Sequence, residues 1–211
     1  MAGGHEGSHR HRWQRLHRGC ADRVVARLVV AAVLLAAASL PVLAADTLDI
    51  EYFDVHGSTA RELRADLSRL GPVADNGVRG DAYTRWRINW KFDLTERGPD
   101  CIAGNFDVGL TVTMILPRWM PPPGVPADLV ALWDQYSTAL RFHEDGHHRI
   151  ALAAAQEVTR RLKAESRARG CKTLENKLKS TVDAVLIEYK GRQADYDRET
   201  DFGRARGTSV L

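Results

Sequence analysis

Between Leu129 and Leu162, the residues Leu129, Trp133, Tyr136, Leu140, His143, His147, Ile150, Ala154, Val158 and Leu162 recur at spacings of three and four. Only an α-helix keeps such a stripe on one face, so a single long helix is predicted here, ending near Gly170. Two of the ten stripe positions are histidines one turn apart, in His143-Glu144-Asp145-Gly146-His147, an H-E-x-x-H sequence. Two desolvated imidazoles each need partners on both ring nitrogens, and a shared Zn²⁺ supplies one to each. Glu144, next to His143, is then the general base of a metal-dependent hydrolysis. A glycine inside a helix costs about 1 kcal/mol relative to alanine, so Gly146 marks a close approach to the backbone. His148 points about 100° away from His147 and is expected at the surface.

The chain carries a second copy of the motif, His5-Glu6-Gly7-Ser8-His9, in a different setting. That copy precedes six scattered arginines, an apolar run from Leu28 to Leu40, Pro41 and the small-residue site Val42-Leu43-Ala44-Ala45. This is the layout of a cleaved secretory signal over residues 1–44, and the first copy is fortuitous. The run is shorter than the roughly 20 residues of a membrane span, so the membrane is met only during export. Without residues 1–44 the 30 Lys+Arg and 27 Asp+Glu fall to 24 and 25, about −1 net over 167 residues. The alkaline pI belongs to the leader, and the mature chain lacks the basic excess of a nucleic-acid binder. The expected location is periplasmic or extracellular.

Export also bears on the cysteines. Cys20 leaves with the leader, so Cys101 and Cys171 are the only mature thiols, and an oxidising compartment favours their pairing over two free buried thiols.

Ahead of the long helix the period changes to two. Leu48, Ile50 and Tyr52 alternate with acids and predict a short strand; Thr59-Ala60-Arg61-Glu62 has capping-box spacing for a short helix that stops at Gly71-Pro72. Alternation then resumes through Trp86, Ile88, Trp90, Phe92 and Leu94. After Gly98-Pro99-Asp100 it runs from Phe106 to Leu116, which predicts two long strands paired antiparallel. Five prolines from Pro117 to Pro126 allow only an extended connector. Leu174, Leu178, Val182, Val185, Leu186 and Tyr189 predict a last helix, followed by a flexible polar tail from about Gly191.

A catalytic zinc needs a third protein ligand and one open position. Glu157 and Glu165 share the long helix with the histidines; Glu157 lies about 15 Å along it and cannot reach back. The third ligand must come from His56 or from Asp195, Asp197, Glu199 or Asp201 of the tail.

Several segments resemble a known family: Tyr52 to Pro72 (YFDVHGSTARELRADLSRLGP), RWRINWKF, ILPRW, LRFHEDGHHRIAL and Tyr196-Asp197-Arg198-Glu199-Thr200. They are similar to secreted bacterial proteins of the domain-of-unknown-function family numbered 922, described as Zn-dependent proteases. The resemblance covers nearly all of the mature chain, including both cysteines. The family's tail reads Y-D-x-x-T-x-H-G, and its histidine would make a third ligand, but Phe202 stands at that position here. Either a tail carboxylate is then the third ligand, Asp197 first with Asp201 as a substitute, or this chain has lost a ligand of the family's site.

The expected fold is α+β: a small antiparallel sheet packed on a long H-E-x-x-H helix with a second C-terminal helix, zincin-like, in one domain over residues 45–211. The expected function is a zinc-dependent peptidase acting on a peptide or protein substrate. His143, His147 and Asp197 would be ligands, Glu144 the base and Tyr196 a hydrogen-bond donor to the oxyanion. The strand Phe106 to Leu116 would be the edge that pairs with substrate. The competing expectation is a non-catalytic envelope protein that keeps the helix and binds a partner through the surface around Trp119 to Pro126.

Overall fold

The structure, a computed structural model, describes residues 45–75 and 77–208. The expected leader, the first His-Glu-x-x-His copy and Cys20 lie outside the described residues. The described chain is α+β, a four-stranded sheet with three α-helices. Its order is β1 (Ala45–Val55), α1 (Ala60–Leu70), β2 (Tyr83–Arg97), β3 (Asp100–Trp119), α2 (Ala127–Ala164), β4 (Arg167–Arg169) and α3 (Cys171–Glu199), then a 3-10 turn at Arg204–Arg206. No helix among the described residues is long and apolar enough to cross a membrane.

The expected starts and stops have visible causes. Thr59 caps α1, its hydroxyl accepting from the Glu62 amide at 3.2 Å, while the Glu62 carboxylate reaches back to the Ser58 amide at 2.7 Å. Pro126 immediately precedes α2, where its missing N–H leaves no intrahelical bond unmade. β2 and β3 form a long antiparallel hairpin with one irregularity between Lys91 and Asp93, opposite the stretch in which Asn105 takes a positive φ of 49°.

The sheet is mixed, which corrects the all-antiparallel expectation. Its order is β1-β3-β2, and β1 runs parallel to β3 from Ala45↔Gly109 to Val55↔Trp119. The chain leaves β1 through α1 and lays β2 on the far side of β3, so the return strand lies alongside β1 in the same direction. β3 is therefore central, with ladders on both sides from Gly109 to Ile115, and it is not the expected free edge. β4, which has no apolar signal of its own, pairs with the start of β3.

Two hydrophobic clusters divide α2 between them. Leu129, Trp133, Tyr136 and Leu140 pack with Val55, Leu63, Leu67 and Trp119, whereas Ala151, Ala154, Ala155, Val158 and Leu162 pack under β3 and against Leu174, Leu178 and Val182 of α3. Fully burying each such Leu or Val stabilises by about 1.5–3 kcal/mol, so both ends of α2 are firmly anchored. Its middle, residues 143–147, lies between the clusters. Polar groups buried there need polar partners.

The Cys101–Cys171 disulfide ties the start of β3 to the first residue of α3. Helix α3 does not stop at Gly191, and the expected polar tail is helical through Glu199. Gly191 lies in open space on the exposed side of the helix, where its lack of a side chain breaks no packing.

Candidate metal centre

The buried middle of α2 finds its partners on the last turns of α3. His143 Nε2 and His147 Nε2 stand 3.2 Å apart, and Asp197 Oδ1 lies 3.2 Å from the first and 2.9 Å from the second. Ligands about 2.0–2.1 Å from a tetrahedral zinc are about 3.3 Å from one another, so these three atoms have the spacing of a shared cation. Two imidazoles and one carboxylate suit Zn²⁺. Among the described residues these three form the group able to hold a metal ion. The histidine side chains are nearly enclosed and that of Asp197 is 30% exposed, so solvent reaches the group from the Asp197 side.

Each imidazole is held from behind. Gln193 Oε1 lies 2.5 Å from His147 Nδ1, and Gln193 Nε2 donates to the His147 carbonyl at 3.1 Å. Thr200 Oγ1 lies 3.3 Å from His143 Nδ1 and donates to the Tyr196 carbonyl at 2.7 Å. The Tyr196 ring stacks on His143 at 5.0 Å and meets His147 edge-on at 5.0 Å, and its hydroxyl donates to the His143 carbonyl at 3.3 Å. The expected oxyanion donor thus has its hydroxyl turned to the α2 backbone. A Cβ on Gly146 would fall 2.1 Å from that hydroxyl oxygen, which explains the glycine within a helix.

Glu144 is buried beside His143, and the Thr84 hydroxyl of β2 donates to its Oε2 at 2.6 Å. Burial pushes the Glu144 carboxyl above its ordinary value, against the opposing pull of His147, Thr84 and His143. At His147 burial disfavours the charged form, but Asp197, Glu144 and Gln193 outweigh it and raise the pKa. Burial also acts against the Asp197 carboxylate. Hydrogen bonds from both histidines overcome it and hold Asp197 well below the usual carboxylate range.

The other candidates stand elsewhere. His56 meets Asp66 of α1, Asp195 pairs with Arg198, Asp201 pairs with Arg204, and Glu199 is exposed. Phe202 has a positive φ of 52° and is 58% exposed, with the Arg204 guanidinium 5.6 Å from its ring centre, so position 202 faces solvent. His148 is half-buried rather than at the surface, and its Nε2 is enclosed without a hydrogen-bond partner among the described residues.

Sequence reasoning missed Thr84, Gln193 and Thr200. Thr84 is one more residue of a half-buried strand until the helix is laid across it. The other two carried a signal, because the stripe Leu174, Leu178, Val182, Val185, Tyr189 continues at the same spacing through Gln193, Tyr196 and Thr200. The α3 stripe changes from apolar to polar where it passes the histidines.

No curated protein and no solved structure matches the chain. Residues 50–203, nearly three quarters of its length, match the family described as bacterial protein of unknown function (DUF922). That span contains the second half of β1, the other three strands, α1, Cys101, Cys171, His143, Glu144, His147 and Asp197, and the chain belongs to this family of bacterial proteins.

Proposed function

We propose that the chain is an exported, zinc-dependent peptidase of zincin-like design, and the observation that carries this reading is the convergence of His143 Nε2, His147 Nε2 and Asp197 Oδ1 on one point. Zinc bound at such a point lowers the pKa of water and polarises a peptide carbonyl. In this reading Glu144 takes the proton of the attacking water and passes it to the leaving amine. Its burial supports that role, because a carboxyl raised toward working pH is a stronger base than an exposed one. Thr84 holds one carboxylate oxygen and leaves the other for the water. Tyr196 keeps the two imidazoles in place; contact with an oxyanion would require its hydroxyl to leave the His143 carbonyl.

The strand next to Glu144 with an unpaired side is β2, since no described strand lies beyond it. An extended peptide or protein segment would add there by backbone pairing, in place of the central β3. The Cys101–Cys171 bond supports export, with residues 1–44 as the leader and the periplasm or medium as the location.

The test is metal content and proteolysis of an unstructured protein substrate, wild type against Glu144→Gln. Both proteins should carry zinc near one equivalent, with turnover falling by about 10²–10⁴-fold in the variant. Absence of zinc from the folded, disulfide-bonded protein, or full activity of Glu144→Gln, would sink the reading.

A further inference from the structure

We propose that Gln193 and Thr200 are positioning residues that keep a proton on Nδ1 of both imidazoles, so that both Nε2 atoms face the single point shared with Asp197, bonding its carboxylate when no metal is bound and giving a cation their lone pairs when one is. This inference rests on the metal reading but follows from hydrogen-bond chemistry that needs no metal. The His147 carbonyl can only accept, so the Gln193 atom 3.1 Å from it is the amide nitrogen. The other end of the same amide, 2.5 Å from His147 Nδ1, is then the oxygen. An oxygen without hydrogen can only accept, so His147 Nδ1 carries the proton.

His143 follows the same rule through a different residue. Thr200 has one hydroxyl proton, and the Tyr196 carbonyl at 2.7 Å takes it. Toward His143 Nδ1 at 3.3 Å the hydroxyl then has only lone pairs, so that nitrogen is the donor. Each tautomer is thus set by a relay ending on a backbone carbonyl, one from α2 and one from α3. Tyr189 is the last buried apolar residue of α3, and Gln193, Tyr196, Asp197 and Thr200 carry the contact to α2 from there on. The end of α3 and its C-cap Thr200 are built as a holder for the two histidines.

Zinc affinity of the full chain, measured by competition with a chromophoric chelator, tests this on Gln193→Met, Gln193→Glu, Thr200→Val and Thr200→Ser. Gln193→Met and Thr200→Val should each weaken zinc by about 10–100-fold, and Gln193→Glu and Thr200→Ser, which keep an acceptor, should bind within about threefold of wild type. Circular dichroism and an intact disulfide show that each variant is folded. Wild-type affinity in Gln193→Met and Thr200→Val, or equal losses in Gln193→Met and Gln193→Glu, would overturn the proposal.

Histidine ¹⁵N spectra of the metal-free chain give the second readout. They should show a proton on His147 Nδ1 that is slow to exchange in wild type and fast in Gln193→Met. An unprotonated Nδ1 in the wild type refutes the tautomer assignment. Failure of the wild type to bind zinc, with this Nδ1 signature intact, refutes the peptidase reading instead.

Discussion

Replacing Gly146 by alanine sets two effects against each other. In an open helix the change gains about 1 kcal/mol of propensity. Here the new methyl would meet the Tyr196 hydroxyl oxygen at 2.1 Å, its ring carbon Cζ at 2.3 Å and Cε1 at 2.7 Å, where ordinary contact begins at 3.4 Å. The ring must retreat by about 1.3 Å, and its stacking against His143 leaves it no free side chain to swing. A retreat of about 1 Å by this part of α3 takes the bonds from Asp197 at 2.9 Å and Gln193 at 3.1 Å beyond hydrogen-bond range. Overpacking costs about 1–3 kcal/mol, so the expected net effect lies between no change and a loss of about 2 kcal/mol. Zinc affinity should fall by at least about 10-fold. Urea unfolding of the metal-free protein and chelator competition measure the two separately. In a Tyr196→Leu background the same glycine change should be stabilising by about 1 kcal/mol, because the obstacle is gone. A Gly146→Ala protein that is about 1 kcal/mol more stable than wild type and binds zinc unchanged would refute the seating of Tyr196 on this glycine.

Thr84→Val removes the hydroxyl that holds Glu144, and should lower kcat while zinc content and KM stay near wild type; an unchanged kcat would show that Glu144 needs no positioning from β2. Replacing Cys101 and Cys171 by serine opens a link spanning 70 residues, for which the chain-entropy model gives roughly 4 kcal/mol. A loss below about 1 kcal/mol in urea unfolding would show that the bond closes a loop already constrained in the unfolded chain. Glu157 is pulled down to about 2, first by its bond to Arg160 and further by Arg161. A folded pKa below the unfolded value means the contribution is fully present above about 4.5 and is lost as pH falls through about 2. Glu157→Gln should therefore have a lower Tm than wild type at pH 7, with the gap closing toward pH 2; a gap independent of pH would assign the effect to packing.

Much of this protein is legible from periodicity, which reports the face a residue shows to the rest of the chain. The stripe through Leu129 and Leu162 determines α2, period two determines β2 and β3, and Thr59 with Glu62 marks the start of α1. The same logic puts His143 and His147 on one inward face before any partner is known. Periodicity does not say what that face will meet. Whether β1 pairs with β3 or β2 is decided by how the chain passes α1, and that choice made β3 central and left β2 as the edge beside Glu144. Gln193, Asp197 and Thr200 fall in the stretch expected as a polar tail, and although Gln193 and Thr200 continue the spacing of the α3 stripe, that spacing does not say what the face will meet. Only the docking of α3 on the interval between the two α2 clusters turns them inward, since buried imidazoles require donors and acceptors and these residues are the ones within reach. The sequence by itself determined the helix and its two histidines, and the tertiary structure decided which carboxylate joins them.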